Sequence, residues 1–169
     1  MELQKSHPDD VIIGEEILTA KGEILAFFVR EEIPEGIEPL EAFRWLREQG
    51  AFISLSHPYA MARHGWTETD MEEYLPYLDA IETNNARNLP AVNRAAARFA
   101  ENHRLCFTAG SDAHGIPELG AMGLELPDFH TPEELRISIQ SAKVFGKESP
   151  LWVRFYSRSA ATRKALRRI

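Results

Sequence analysis

Leu105-Cys106-Phe107-Thr108-Ala109-Gly110-Ser111-Asp112-Ala113-His114-Gly115 is the stretch whose reading decides the fold. Five small or apolar residues, Leu105 to Ala109, have the length and composition of a buried strand. They run directly into glycine and then into an Asp and a His spaced i, i+2. A strand that ends in paired ligand groups is a pattern to look for elsewhere in the chain. The bland alternative for this pair is Asp112 as a helix cap and His114 as a surface residue.

Other segments repeat the pattern. Val11-Ile12-Ile13 leads into Gly14-Glu15-Glu16-Ile17, and Glu23 to Val29 reads as its hairpin partner after a turn at Lys21-Gly22. Ala51 to Leu55 reads as a strand ending at Ser56-His57-Pro58-Tyr59, and Asp79 to Thr83 as one ending at Asn84-Asn85. Ala121 to Leu126 is a further strand. Between them lie helical patterns. Pro39 to Gly50 places Leu40, Phe43 and Leu46 on one face. A helix begins near Pro90, and capping boxes are expected at Thr69/Glu72 and Thr131/Glu134. Strands alternating with helices through short loops predict an α/β fold with largely parallel pairing. Glu16, His57, Glu82 with Asn84 and Asn85, and Asp112 with His114 are then expected at strand ends, gathered on one face of a barrel-like sheet.

The bulk properties narrow the class. A chain of 169 residues with 44% hydrophobic and 27% charged content is expected to form one soluble domain over residues 1–169. No apolar run approaches the ~20 residues of a membrane span, and the polar N-terminus has no signal-peptide pattern, so a cytoplasmic location and no membrane partner are expected. The single cysteine, Cys106, excludes an internal disulfide framework. A net charge of -7 argues against nonspecific coating of nucleic acid. Residues 157–169, with Arg158, Arg163, Lys164, Arg167 and Arg168, read as a basic C-terminal helix.

The local chemistry suits a cation. Asp112 and His114 offer oxygen and nitrogen from the same side of an extended segment. Pro58 is expected to hold His57 extended and its imidazole in one direction. Adjacent Glu15 and Glu16 should face opposite sides of a strand, one inward and one out.

Taken together, the Gly-Glu-Glu-Ile, Ser-His-Pro, Ala-Ile-Glu-Thr-Asn-Asn and Gly-Ser-Asp-Ala-His motifs resemble the PHP (polymerase and histidinol phosphatase) family of metal-dependent phosphoesterases. The resemblance covers nearly the whole chain, in order and spacing. It implies a distorted, TIM-like, seven-stranded β/α barrel with divalent ions, usually Zn, Mn or Fe. Carried over by position, it implies Glu16, His57, Asp112 and His114 as metal ligands, with Glu82 and Asn85 supporting them from behind. Arg63 and Arg87 are implied substrate contacts, and His64 is read as solvated surface.

The chain departs from the family pattern where an early His-x-His would stand, and it has Glu23 where many relatives place a histidine. Glu23 is left out of the expected ligand set. The chain therefore resembles the C-terminal two-thirds of such a domain, a partial barrel without roughly its first two strands. Open sheet edges would then favour a homo-oligomer or a complementing N-terminal segment. The implied function is hydrolysis of a phosphate mono- or diester by metal-activated water, on a small phosphorylated substrate or a nucleic-acid end. The alternative is a non-catalytic PHP-like module that serves binding or assembly.

Overall fold

A computed structural model describes residues 2–60 and 64–150. Arg63 and the basic stretch 157–169 lie outside the described residues. The elements are α1 (Glu2–Ser6), β1 (Gly14–Leu18), β2 (Glu23–Phe27), α2 (Pro39–Glu48), β3 (Phe52–Leu55), α3 (Glu68–Tyr74), β4 (Ala80–Asn85), α4 (Pro90–His103), β5 (Cys106–Gly110), β6 (Met122–Glu125), α5 (Pro132–Ser138) and β7 (Lys143–Gly146). Among the described residues, no helix is long and apolar enough to cross a membrane.

Five strands form one sheet in the order β1-β2-β3-β4-β5, and β6 pairs with β7 in a separate antiparallel ribbon. The large sheet is mixed. β1, β2 and β3 pair antiparallel, whereas β3, β4 and β5 pair parallel. This corrects the expectation of largely parallel pairing: β2, between β1 and β3, runs against the other four strands, so two of the four pairings are antiparallel. Among the described residues the sheet is open and no closed barrel forms.

Pleating assigns each residue to a face. On one face Ile17, Ile24, Ala26, Ile53, Leu55 and Ile81 are buried together with Phe43 and Leu46 of α2, Tyr74 of α3 and Phe99 of α4. Helix α2 starts where Pro39, lacking an N–H, costs no hydrogen bond, and its 10 residues bury Pro39, Ala42, Phe43 and Leu46. Phe43 stacks on Tyr77 with centroids 5.7 Å apart and lies 6.3 Å from Trp66. Trp66 in turn packs under the β1–β2 turn. A Cβ on Gly22 would come within 2.5 Å of the indole, so only glycine fits there. The opposite face is divided. Phe52 and Ala80 at its lower end are covered by Leu135 and Ile139, and its upper end is polar.

Two local expectations are revised and a third holds. The strand is Gly14–Leu18 itself, not Val11–Ile13. Helix α3 is capped by Thr67, whose Oγ1 accepts from Asp70 N, two residues before the expected Thr69. Thr131 does cap α5, accepting from Glu134 N.

An ionic clamp closes the lower end of the sheet. Asp79, 10% exposed, accepts from Arg47 Nη1 at 3.1 Å, from Arg136 Nε at 3.0 Å and from Ile53 N at 2.8 Å. Arg47 also donates to Tyr77 O and Arg136 to Ala51 O. Asp79 thereby joins α2 on one face to α5 on the other. Asp79→Ala leaves two facing guanidinium groups and one strand N–H without their acceptor. We expect a loss of about 2–4 kcal/mol in urea unfolding, below the range for a fully buried pair because both arginines are partly solvated. A loss of less than about 1 kcal/mol would refute the clamp.

Candidate metal centre

The polar upper half of the second face is built by five strands. Glu16 on β1, Glu23 on β2, Ser54 on β3, Glu82 on β4 and Thr108 on β5 share that side of the pleat. Ser54 Oγ and Thr108 Oγ1 are 2.8 Å apart and bond across the buried sheet. Glu16 and Glu82 lie inside their strands rather than at the expected strand ends; His57, Asp112 and His114 follow theirs.

Glu15 and Glu16 diverge as alternation requires. Glu15 accepts from Ile33 N at 3.2 Å, whereas Glu16 Oε1 accepts from Ser56 Oγ at 2.8 Å and lies 3.5 Å from His57 Nε2. Glu23 Oε2 is 2.8 Å from the same His57 nitrogen. One donor atom from each of Glu16, Glu23 and His57 falls within 4.8 Å of the others, the only such group of three among the described residues. Glu23 is thus the donor that sequence reasoning set aside. Alternation placed its side chain on the side of Leu25 and Phe27, but its meeting with His57 is set by the β2–β3 register, which spacing along the chain does not show.

Glu23 is held firmly. Its carbonyl accepts from Trp66 Nε1 at 2.8 Å and from Ser56 N at 3.1 Å. His57 is 1% exposed and has φ +24°, outside the extended conformation that Pro58 was expected to impose. Its backbone N–H donates to Glu82 Oε2 at 2.7 Å. A buried non-glycine residue at positive φ stores backbone strain that surrounding bonds must hold.

Glu82 is 4% exposed, and burial pushes its carboxyl up to about 7 against the lowering pull of the His57 N–H and Asn85. Asn85 Nδ2 donates to Glu82 Oε2 at 3.1 Å and to Asp112 Oδ2 at 3.0 Å. This sharing depends on a bulge. The β4–β5 register shifts between Glu82 and Asn84, which rotates Asn85 back toward the Glu82 side.

Asp112 has φ +48° and a side chain 10% exposed. His114 is exposed, and its Nδ1 lies 2.9 Å from Asp112 O and 3.4 Å from Asp112 Oδ1. The pair therefore sits in a left-handed turn rather than an extended segment. Asp112 shares a cavity of about 300 Å³ with Glu16, Ser56, Glu82, Asn85 and Thr108. The structure thus brings Glu16, Glu82, Asn85 and Asp112 to one cavity with His57 beside them, and leaves His114 outside both the cavity wall and the close donor group. Arg87 follows β4; its Nε lies 3.4 Å from Oε1 of buried Glu118, a residue the sequence did not single out. His64 is exposed, as expected.

The donor set suits a divalent ion. Tetrahedral ligands at about 2.0–2.1 Å are separated by about 3.3 Å. The Glu16–His57 spacing of 3.5 Å already fits this, and the 2.8 Å Glu23–His57 contact has to open by roughly half an ångström. All donors are nitrogen or oxygen, the preference of Zn, Mn and Fe rather than of thiolate-dependent metals.

Known proteins share parts of this chain. Residues 90–144 match the family model described as PHP-associated. An uncharacterized protein of Methanocaldococcus jannaschii, MJ0417, is 36% identical over 135 residues, covering 73% of this chain and 57% of that protein. A second from the same organism, MJ1587, is 41% identical over 59 residues, covering 35% of this chain and 34% of that protein. The chain therefore spans about half or less of the length of these relatives. Among solved structures, PsfC from Pseudomonas syringae superposes with a TM-score of 0.64 at 21% identity, covering 90% of this chain and 65% of that one. A two-domain protein from Bacteroides vulgatus, containing a predicted PHP-like metal-dependent phosphoesterase, gives 0.66 at 18% identity, with 86% and 47% covered. The chain thus carries a PHP-associated segment from α4 to β7 and shares the fold of these solved structures.

Proposed function

We propose that this chain is a metal-dependent phosphoesterase acting on a phosphate mono- or diester. The observation that carries the reading is the convergence of Glu16, Glu23 and His57 within 4.8 Å, beside a cavity walled by Asp112. Glu16, Glu23 and His57 would hold the ion. A bound Zn, Mn or Fe supplies Lewis acidity and makes water acidic enough to act as a nucleophile near neutral pH. Glu82, Asn85 and the His57 backbone form the bonded row behind the donors and fix their directions. Asp112, steadied by Asn85, lines the wall on which water would be oriented. Arg87 would bind the substrate phosphate, a planar guanidinium being suited to two parallel bonds with phosphate oxygens. A small phosphorylated molecule and a nucleic-acid end both meet this chemistry.

One observation favours a second reading, a PHP-like module that binds without turnover: His114 lies outside the close donor group. Metal content and turnover separate the two. We expect bound metal in the wild type by mass spectrometry after exhaustive desalting. Glu23→Gln and His57→Ala should each weaken it by ~10–100-fold or more. The Asp112→Ala, His114→Ala double variant should retain most metal and lose hydrolysis of a generic aryl phosphate in Mn or Zn. Metal without turnover in the wild type supports the binding module. Absence of metal in the wild type would falsify the phosphoesterase reading.

Chelation gives an independent check. Removing metal with a strong chelator should lower the melting temperature and abolish turnover, and added Mn or Zn should restore both, since an ion bound only by the folded state stabilises it. A melting temperature indifferent to chelator and metal would contradict a site formed by Glu16, Glu23 and His57.

A further inference from the structure

The 3-10 turn Ile116–Glu118 has inverted polarity. Ile116 is 85% exposed and Leu119 68%, whereas Glu118 between them is 1% exposed. Hydrophobic burial alone would favour the reverse, so a buried carboxylate here calls for specific polar partners. Two are visible. Glu118 Oε2 accepts from His114 N at 3.0 Å, and Glu118 Oε1, buried and without a hydrogen bond, lies 3.4 Å from Arg87 Nε as an ion pair. Arg87 stands just past β4, and His114 belongs to the turn that carries Asp112. One buried side chain therefore spans the two segments that flank the cavity on this side.

We propose that Glu118 is a positioning residue, which locks the Asp112–His114 turn to Arg87 and so sets where a phosphate-binding cation stands relative to the metal-side wall. The proposal rests on the phosphoesterase reading for its consequence, but its structural content is independent of turnover. A plain tether between two loops could be made by apolar packing at lower desolvation cost. A carboxylate is needed only if a guanidinium must be oriented while a backbone N–H is also satisfied. Glu118 engages Arg87 at the Nε edge, and bidentate phosphate recognition uses two N–H groups of the same rigid fork. Fixing Nε thus fixes the plane in which phosphate is met.

The test is hydrogen exchange by mass spectrometry on the full chain, run beside kinetics with an aryl phosphate and inorganic phosphate as competitor. Wild type is compared with Glu118→Gln, Glu118→Ala, Arg87→Ala and the Arg87→Ala, Glu118→Gln double variant. Glutamine keeps an acceptor for His114 N but turns an amide toward the guanidinium. We expect Glu118→Gln to speed exchange in residues 85–89 while residues 111–119 stay near wild type, and Glu118→Ala to speed both. Inhibition by phosphate should weaken by about 10-fold in Glu118→Gln with kcat within about threefold of wild type. The double variant should bind phosphate no worse than Arg87→Ala alone, since both changes remove one coupled unit. Unchanged exchange in residues 85–89 in Glu118→Gln overturns the proposal, as do additive losses in the double variant. If the wild type lacks turnover altogether, the phosphoesterase reading fails and the exchange data still decide the role of Glu118. Should Glu118→Ala not fold, Glu118→Gln carries the test.

Discussion

Because side chains alternate across a pleated sheet, each of the five paired strands has to divide its residues between two environments, and the register decides which residues meet. Glu16 pairs with Leu25, Leu25 with Ser54, and Glu82 with Thr108, so the polar residues of distant segments form one row. Their neighbours one position along, Ile17, Ile24, Ile53 and Ile81, turn to the other side and bury under three helices. A slip of one residue in β1, β2 or β4 would bury a carboxylate in that core and strip an isoleucine from it. The apolar face thus guards the register of the polar one, and the site is as precise as the core is well packed.

Two departures from regularity complete the arrangement. A uniform pleat would point Asn84, not Asn85, to the Glu82 side. The bulge after Glu82 reverses that and lets one amide donate to both Glu82 and Asp112. The left-handed conformations of His57 and Asp112 act likewise at the ends of β3 and β5, turning the chain sharply where a strand would run on. Such conformations cost of order 1–3 kcal/mol each and persist where bonded surroundings over-determine them. Glu82, bonded to His57 N, and Asn85, bonded to Asp112, are those surroundings.

These same features mark where the sequence was legible. Hydrophobic alternation in Glu23–Phe27, the proline start of α2 and the Thr131 cap are local signals, and they located the elements. The motif residues Glu16, His57, Glu82, Asn85 and Asp112 were visible as polar interruptions of apolar runs. Direction was not legible: whether β3 continues parallel or returns antiparallel depends on long-range pairing, and short apolar runs carry no sign of it. Nor was the inclusion of Glu23, because its meeting with His57 depends on the β2–β3 register rather than on spacing along the chain. Glu118 was invisible for another reason. Beside Ile116 and Leu119 its own charge argues for solvent, and only the position of Arg87, 31 residues earlier, reverses the preference.

The charge balance of the polar face gives the arrangement its chemical direction. Glu16, Glu23, Glu82 and Asp112 are four carboxyl groups in and beside a cavity of about 300 Å³, with His57 as their nearest nitrogen donor. Carboxylates crowded in a low-dielectric space disfavour one another, and the neighbouring Asp112 charge is among the influences that hold Glu82 above the usual carboxylate range. A divalent cation relieves that repulsion where water cannot, and two carboxylates with one neutral imidazole balance its charge. An anionic donor at Glu23 would attract a hard cation more strongly than a neutral one. It would also leave a bound ion less positive overall and so a weaker acid toward water. At the position of Glu23, affinity for metal and power to activate water would therefore be set against each other.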